Sequence, residues 1–271
     1  MTPKKFYTQH IYNIGFVQNT LDDVLQTHNP LNVEYMKHNY TDRWFADPFI
    51  LDVDDDYIYL LVEEFPFDTN IGKISKLTVK KSDYTLEKID SVLELDTHLS
   101  FPAILRRDEK VYIYPENSVS GVLNLYEYNP DNNICQYTKT LCNQPLTDAI
   151  ITNIMGGELI MSTVDSSIPI NKKTLRCYDG DNIIQEFNMM TCVARNAGDW
   201  FEYNGQWYRP AQDNNISYGA AVILQKVFKV NDTLEFSNIR RLISTHPILN
   251  KGCHTFNHYK NVIVIDIKGD K

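Results

Sequence analysis

The chain has 271 residues, 43% of them hydrophobic and 23% charged, which suits one large or two small globular domains and is compatible with a single all-β propeller or barrel. A net charge of −9 excludes the usual phosphate-backbone binder, which sets Lys and Arg against phosphates, so nucleic acid is not an expected partner. No stretch approaches the roughly 20 apolar residues of a membrane span, and "MTPKKFYTQHIYNIGFV" lacks an apolar run long enough for a signal peptide.

In chain order, "IYNIGFVQ" (11–18) reads first as a lone strand. From Arg43 onward a unit of roughly fifty residues recurs. Its first strands are "FADPFIL" (45–51), "LSFPAIL" (99–105), "LTDAIIT" (146–152), "AGDWFEY" (197–203) and "GCHTFNH" (252–258). Each is followed, across a short turn, by a second strand: "DYIYLLVEE" (56–64), "KVYIYPE" (110–116), "GELIMSTVD" (157–165), "GQWYRPAQ" (205–212) and "NVIVIDI" (261–267). The turns carry turn chemistry, and Asn204–Gly205 is the strongest two-residue hairpin signal, since a type I′ turn needs φ > 0 at both central positions. Four units continue into a third strand, and "TLEKIDSVLE" (85–94) and "LEFSNIRRLI" (234–243) read as fourth strands.

Four-stranded antiparallel meanders repeated five times predict a five-bladed β-propeller, which leaves only short, protected edges. The fifth unit is one strand short, and residues 11–18 are expected to complete it, making 1–271 a single propeller domain. A β-sandwich would explain the strands but not the polar residue that recurs at the start of each first strand. In a propeller the first strand of each blade lines the axis. Asp47, Phe101, Asp148, Asp199 and His254 are then expected at one mouth of a central funnel, because a hydrophobic layer would not tolerate those carboxylates.

"FADPF", "EEF", "SFP", "YPE" and the order of the axial residues resemble the five-bladed glycoside hydrolases: arabinanases, β-xylosidases, invertases and levansucrases. More closely, together with "RPAQD…YGAAV", they resemble the propeller module beside the glycosyltransferase domain of plant glucosamine inositolphosphorylceramide transferases and similar modules from bacterial surface-polysaccharide loci. The resemblance spans Arg43 to Ile267. It implies Asp47 as base or nucleophile, Asp148 as the carboxylate that tunes the acid, and Asp199 in the place of that acid. It also implies His254 near an axial water or metal ion. Asp199 is one methylene shorter than the usual Glu. Glycosidic cleavage needs its two carboxyls at a set separation of roughly 5–5.5 Å or 6.5–9.5 Å, so Glu63, Glu64 or Glu116, at the ends of second strands, are alternative acids.

Other candidates surround these. Arg43, Glu64, Glu116 and His254 are expected beside a sugar; Trp44, Phe45, Phe101 and Trp200 are expected either to wall it or to fill gaps between blades; and Arg209 and Gln212 in "QWYRPAQD" offer polar contacts. The guanidinium suits a carboxylate, a phosphate or vicinal hydroxyls, or else an ion pair with an axial aspartate. Glu63 and Glu64 are adjacent in a strand and point to opposite faces, so at most one meets the funnel. His254 and His258 lie on a strand rather than a helix, and Asp54–Asp55–Asp56 lacks the glycine and terminal glutamate of a calcium loop; no metal is expected. No P-loop, GxGxxG, GxSxG or HExxH is present, and no cofactor is expected. Five cysteines at irregular spacing, without a CxxC, fit free thiols in a reducing compartment and a cytoplasmic location. The expected function is a carbohydrate-handling propeller, glycosidase-like or associated with a partner glycosyltransferase. The alternatives are a non-catalytic glycan-binding module and a protein-interaction scaffold.

Overall fold

A computed structural model describes residues 10–164 and 172–270. The first nine residues of the N-terminal stretch, and Asp165 at the end of the strand expected over 157–165, lie outside the described residues.

The described chain forms five four-stranded sheets. The first blade is β3 (Arg43–Val53), β4 (Tyr57–Pro66), β5 (Lys73–Lys80) and β6 (Leu86–Leu93). The second is β7 (Ser100–Arg107), β8 (Lys110–Glu116), β9 (Leu123–Asn129) and β10 (Ile134–Cys142). The third holds β11 (Leu146–Thr152), β12 (Leu159–Val164), β13 (Thr174–Asp179) and β14 (Asn182–Asn188); the fourth, β15 (Phe201–Tyr203), β16 (Gln206–Asp213), β17 (Ala221–Val230) and β18 (Thr233–Leu242). The fifth joins both ends of the chain. β19 (Phe256–Tyr259) and β20 (Val262–Asp270) are continued by β1 (His10–Val17) and β2 (Val33–Tyr35). β1 pairs with β20 along its whole length, from His10↔Asp270 to Val17↔Ile263.

Turn chemistry sets the hairpins between first and second strands. Asn204 (φ 51°) and Gly205 (φ 74°) close the tight turn that pairs Tyr203 with Gln206. Asp108–Glu109 and Lys260–Asn261 adopt the same pair of left-handed conformations without a glycine. The core lies between blades: Leu60, Leu61 and Val62 of β4 are all fully buried, because both faces of the strand meet a neighbouring sheet. A short helix, α1 (Leu21–Gln26), was not expected from the sequence. Thr20 and Asp23 form a capping box at its start, and Leu21, Val24 and Leu25 pack against Leu242 and Ile263. Arg240 donates to the carbonyls of Asp23 and Val24. No helix among the described residues is long and apolar enough to cross a membrane.

Candidate functional site

The first three inner strands share one irregularity. Their pairing register slips between Ala46 and Phe49, between Ser100 and Ala103, and between Thr147 and Ile150. At these bulges Asp47 (φ 50°), Phe101 (φ 45°) and Asp148 (φ 45°) are left-handed. A non-glycine residue held there costs about 1–3 kcal/mol and needs outside support. The support comes from acids. Asp47 N–H donates to Asp266 Oδ2 at 3.3 Å, Phe101 N–H to Asp47 Oδ2 at 3.1 Å, and Asp148 N–H to Glu116 Oε2 at 3.0 Å.

Around Asp47 the fifth blade closes a buried cluster. Thr255 Oγ1 lies 2.8 Å from Asp47 Oδ1 and 2.7 Å from Asp266 Oδ2, and His254 Nδ1 contacts Asp266. Burial pushes the Asp47 carboxyl up to about 7, against the pull of His254. Burial opposes the charge on His254, but Asp266 outweighs it and the imidazole rises to about 9. Burial also opposes the charge on Asp266, yet His254 and its other donors hold that carboxyl below the usual range. Asp47, His254 and Asp266 offer ligand-type atoms within 4.8 Å of one another, so spacing alone would admit a cation. The hydrogen bonding argues otherwise, because the oxygens of Asp266 are already filled by donors.

Opposite stands a second group. Arg195 donates through Nε to Asp148 Oδ2 and through Nη2 to Asp148 Oδ1 at 3.2 Å, with Glu116 Oε2 at 3.4 Å. Gln212 Nε2 donates to Asp148 Oδ2 at 2.7 Å. Burial, offset by Arg195 and reinforced by Asp148, lifts Glu116 well above the carboxylate range. A third pair lies near Asp47: His98 Nε2 meets Glu63 Oε1 at 3.1 Å. Burial disfavours the charged imidazole of His98, but Glu63 prevails and raises it. Tyr12 of β1 stacks on His254 at 5.1 Å and leans on Trp44 at 4.8 Å.

Several expected residues are therefore gathered: Asp47, Glu116, Asp148, Gln212 and His254. Others are not. Glu64 turns to the opposite face, bound by Arg43 Nη1 and Ser75 Oγ, each at 2.5 Å; the acid facing Asp47 is Glu63. Phe101 points into the core, edge-on to Phe49. Trp44 is 4% exposed and stacked on Phe65 at 4.7 Å. Trp200 is buried within blade four, its Nε1 donating to Asn196 Oδ1.

Arg209 is 0% exposed. It donates to Asn196 Oδ1, Val193 O, Ala194 O and Gln225 Oε1, which braces the segment that carries Arg195. Asp199 stands apart. Burial raises it to about 7, and its charged neighbour is Arg106, whose guanidinium donates to Ile50 O and Leu51 O farther down the first inner strand. Blade four delivers Arg195 at the level of Asp148 because its first segment is longer: Asn196 bridges to Ala211, and regular pairing resumes only at Phe201.

Arg195, His98, Thr255, Asp266, Tyr12 and Tyr218, whose ring stands edge-on to His254 at 5.3 Å, had not been singled out. Asp266 was legible in principle, as the polar residue interrupting "NVIVIDI". A separate groove beside the hairpin turns, lined among others by Phe16, Gln18, Asp22, Tyr84, Tyr203 and His258, contains none of the axial acids.

Comparison with known proteins gives a consistent picture. Residues 27–264 match the family described as "Glucosamine inositolphosphorylceramide transferase 1, N-terminal". Glucosamine inositolphosphorylceramide transferase 1 of Arabidopsis thaliana is 28% identical over 204 residues, covering 68% of this chain and 26% of that protein. Its namesake in Oryza sativa subsp. japonica is 25% identical over 202 residues, covering 70% of this chain and 27% of that protein. The chain thus spans about a quarter of the length of these relatives.

Among solved structures, a GH43_1 enzyme from Xanthomonas citri complexed with xylose superposes with a TM-score of 0.55 at 10% identity, covering 85% of this chain and 88% of the other. A GH43 β-xylosidase/α-arabinofuranosidase from a compost microbial metagenome gives 0.55 at 10% identity, covering 87% and 93%. At that identity the likeness is one of fold. By its sequence over residues 27–264, this five-bladed propeller belongs to the family of the N-terminal region of glucosamine inositolphosphorylceramide transferase 1.

Proposed function

We propose that this propeller binds the neutral sugar of a glycoconjugate in its axial funnel and serves a glycosyltransferase partner without hydrolysing the sugar. The observation that carries this reading is Arg195. At the level of Asp148, the fourth blade contributes a guanidinium bound through two nitrogens to that carboxylate, and Asp199 faces Arg106 instead. A hydrolase needs two carboxyls placed across the scissile bond. Here Glu63 pairs with His98, Asp148 with Arg195 and Asp266 with His254. A floor of balanced pairs suits hydroxyl groups better than a charged ligand. The relatives' name, a transferase acting on a sugar conjugate, supports the same class of ligand, and their greater length leaves room for a transfer domain that this chain does not span.

One observation favours a second reading, hydrolysis. Glu116 is a buried carboxyl raised well above its ordinary value beside Asp148, as a general acid would be. A broad panel of chromogenic glycosides, run beside calorimetric titration with the parent sugars, separates the two. The binding reading expects saturable heat with at least one sugar, lost in Asp148→Asn, and no release of chromophore. Turnover that disappears in Glu116→Gln would establish the hydrolase instead.

A further inference from the structure

The Thr255 hydroxyl has one proton and two close carboxylate neighbours, Asp47 Oδ1 at 2.8 Å and Asp266 Oδ2 at 2.7 Å. It can donate to only one of them. The other contact is favourable only if that carboxyl itself carries a proton and donates to Oγ1.

Donor counting decides which. Asp266 Oδ1 accepts from the backbone N–H groups of His254 at 2.8 Å and Thr255 at 3.0 Å. Its Oδ2 accepts from Asp47 N–H at 3.3 Å and contacts His254 Nδ1. A carboxyl so surrounded by donors is the ionised one. Asp47 has one backbone donor, Phe101 N–H, and it lies on the other oxygen.

We propose that Asp47 is held as a neutral carboxylic acid, donating from Oδ1 to Thr255 Oγ1, which in turn donates to the Asp266 carboxylate. Thr255 and Asp266 are then positioning residues that set the protonation state of the axial floor. The proton count is a property of the protein alone; its use in the funnel rests on the sugar-binding reading, to which it adds that below neutral pH the floor has no ionised base at Asp47.

The charged surroundings agree. On the first blade Asp47 faces Glu63, on the third Asp148, and on the fifth Asp266 and His254. His98, between blades one and two, Tyr12 of β1 and Tyr218 of the β16–β17 loop feel its charge as well. Three of these neighbours are carboxylates that oppose a further negative charge, and one imidazolium favours it. Burial decides the sum in favour of the neutral form.

The test is carbon NMR of ligand-free protein labelled at the aspartate carboxyl carbons, titrated with and without EDTA. The Asp47 signal is identified by its loss in Asp47→Asn. It is expected to titrate near neutrality in the wild type and in Thr255→Ser, and to move down by about one unit in Thr255→Val, which removes the acceptor for its proton. Asp266→Asn is expected to lower it too, while Thr255→Ser keeps the test valid if Asp266→Asn fails to fold. An Asp47 carboxyl that is ionised at pH 5.5 overturns the proposal. So does a signal that moves on adding calcium or EDTA, which would make the cluster a metal site. Because no sugar is present, a failure of sugar binding leaves this result unaffected.

Discussion

The N–H of Phe101 donates to Asp47 Oδ2 at 3.1 Å across the boundary between the first and second blades. Asp47 N–H in turn donates to Asp266 of the fifth blade. The side chain that the family resemblance casts as the reactive group is therefore also a clasp between sheets. Its protonation state bears on stability as well as on the funnel.

Replacing Asp47 with asparagine should stabilise the protein at alkaline pH. The folded carboxyl is raised from 3.8 to about 7, so the stability it contributes is full below the unfolded value and is lost as pH rises through about 7. An amide imitates the neutral acid: its oxygen accepts from Phe101 N–H and its NH2 donates to Thr255 Oγ1. Thermal unfolding should place Asp47→Asn on the order of 4 kcal/mol above the wild type at pH 8 and level with it at pH 4. A variant less stable at pH 8 contradicts the neutral form.

His254 works in the same direction, at higher pH. Its imidazole is raised from 6.5 to about 9, so the stability it adds is full below about pH 6.5 and is lost as pH climbs through 9. Wild-type unfolding free energy should fall between pH 7 and pH 10, and His254→Asn should flatten that part of the profile. Chemical denaturation across the range reads both.

Arg195→Met should cost about 3–5 kcal/mol at pH 8, because it leaves buried acids without their cation. The deficit should shrink at pH 5, because burial holds the Glu116 carboxyl well above the ordinary carboxylate range and it can take up a proton. Arg195→Lys should not restore the loss, since one ammonium cannot occupy both the Nε and Nη2 contacts to Asp148. Urea unfolding at the two pH values measures this.

Gly72 touches the His98–Glu63 pair directly. A Cβ there would lie 2.6 Å from Leu99 O, 2.7 Å from His98 Cε1 and 2.8 Å from Glu63 Oε1. Gly72→Ala should push the two side chains apart, lower the His98 pKa toward its ordinary value and destabilise by about 1–3 kcal/mol. A proton NMR titration of the His98 ring reports the shift.

The blades were legible because each unit repeats a strand, a turn and a strand, and because "IYNIGFVQ" was one strand looking for a sheet. Asp47, Asp148 and His254 were legible because polarity at the start of a buried strand needs a reason. Asp199 follows the same pattern in the sequence, but the fourth inner segment slips by two residues against its partner strand where the first three slip by one, and pattern matching is blind to that. The choice between Glu63 and Glu64 hung on a single step of strand register, which alternation alone leaves open. Arg195, His98 and Tyr218 arrive from loops that have no periodicity to read. Arg209 was distinctive for a different reason from the one expected: it braces the backbone that presents Arg195.

The pairing of β1 with β20 sets the order in which the molecule can be assembled. As the ribosome works, β1 emerges long before β20, which pairs with it along its whole length, and its edge stays open while four sheets form downstream. Closing the ring is a contact between segments very far apart in the chain, the kind that slows folding most. Until then, the exposed edges of the nascent fifth sheet are the places where a chaperone, or a neighbouring nascent copy, would attach.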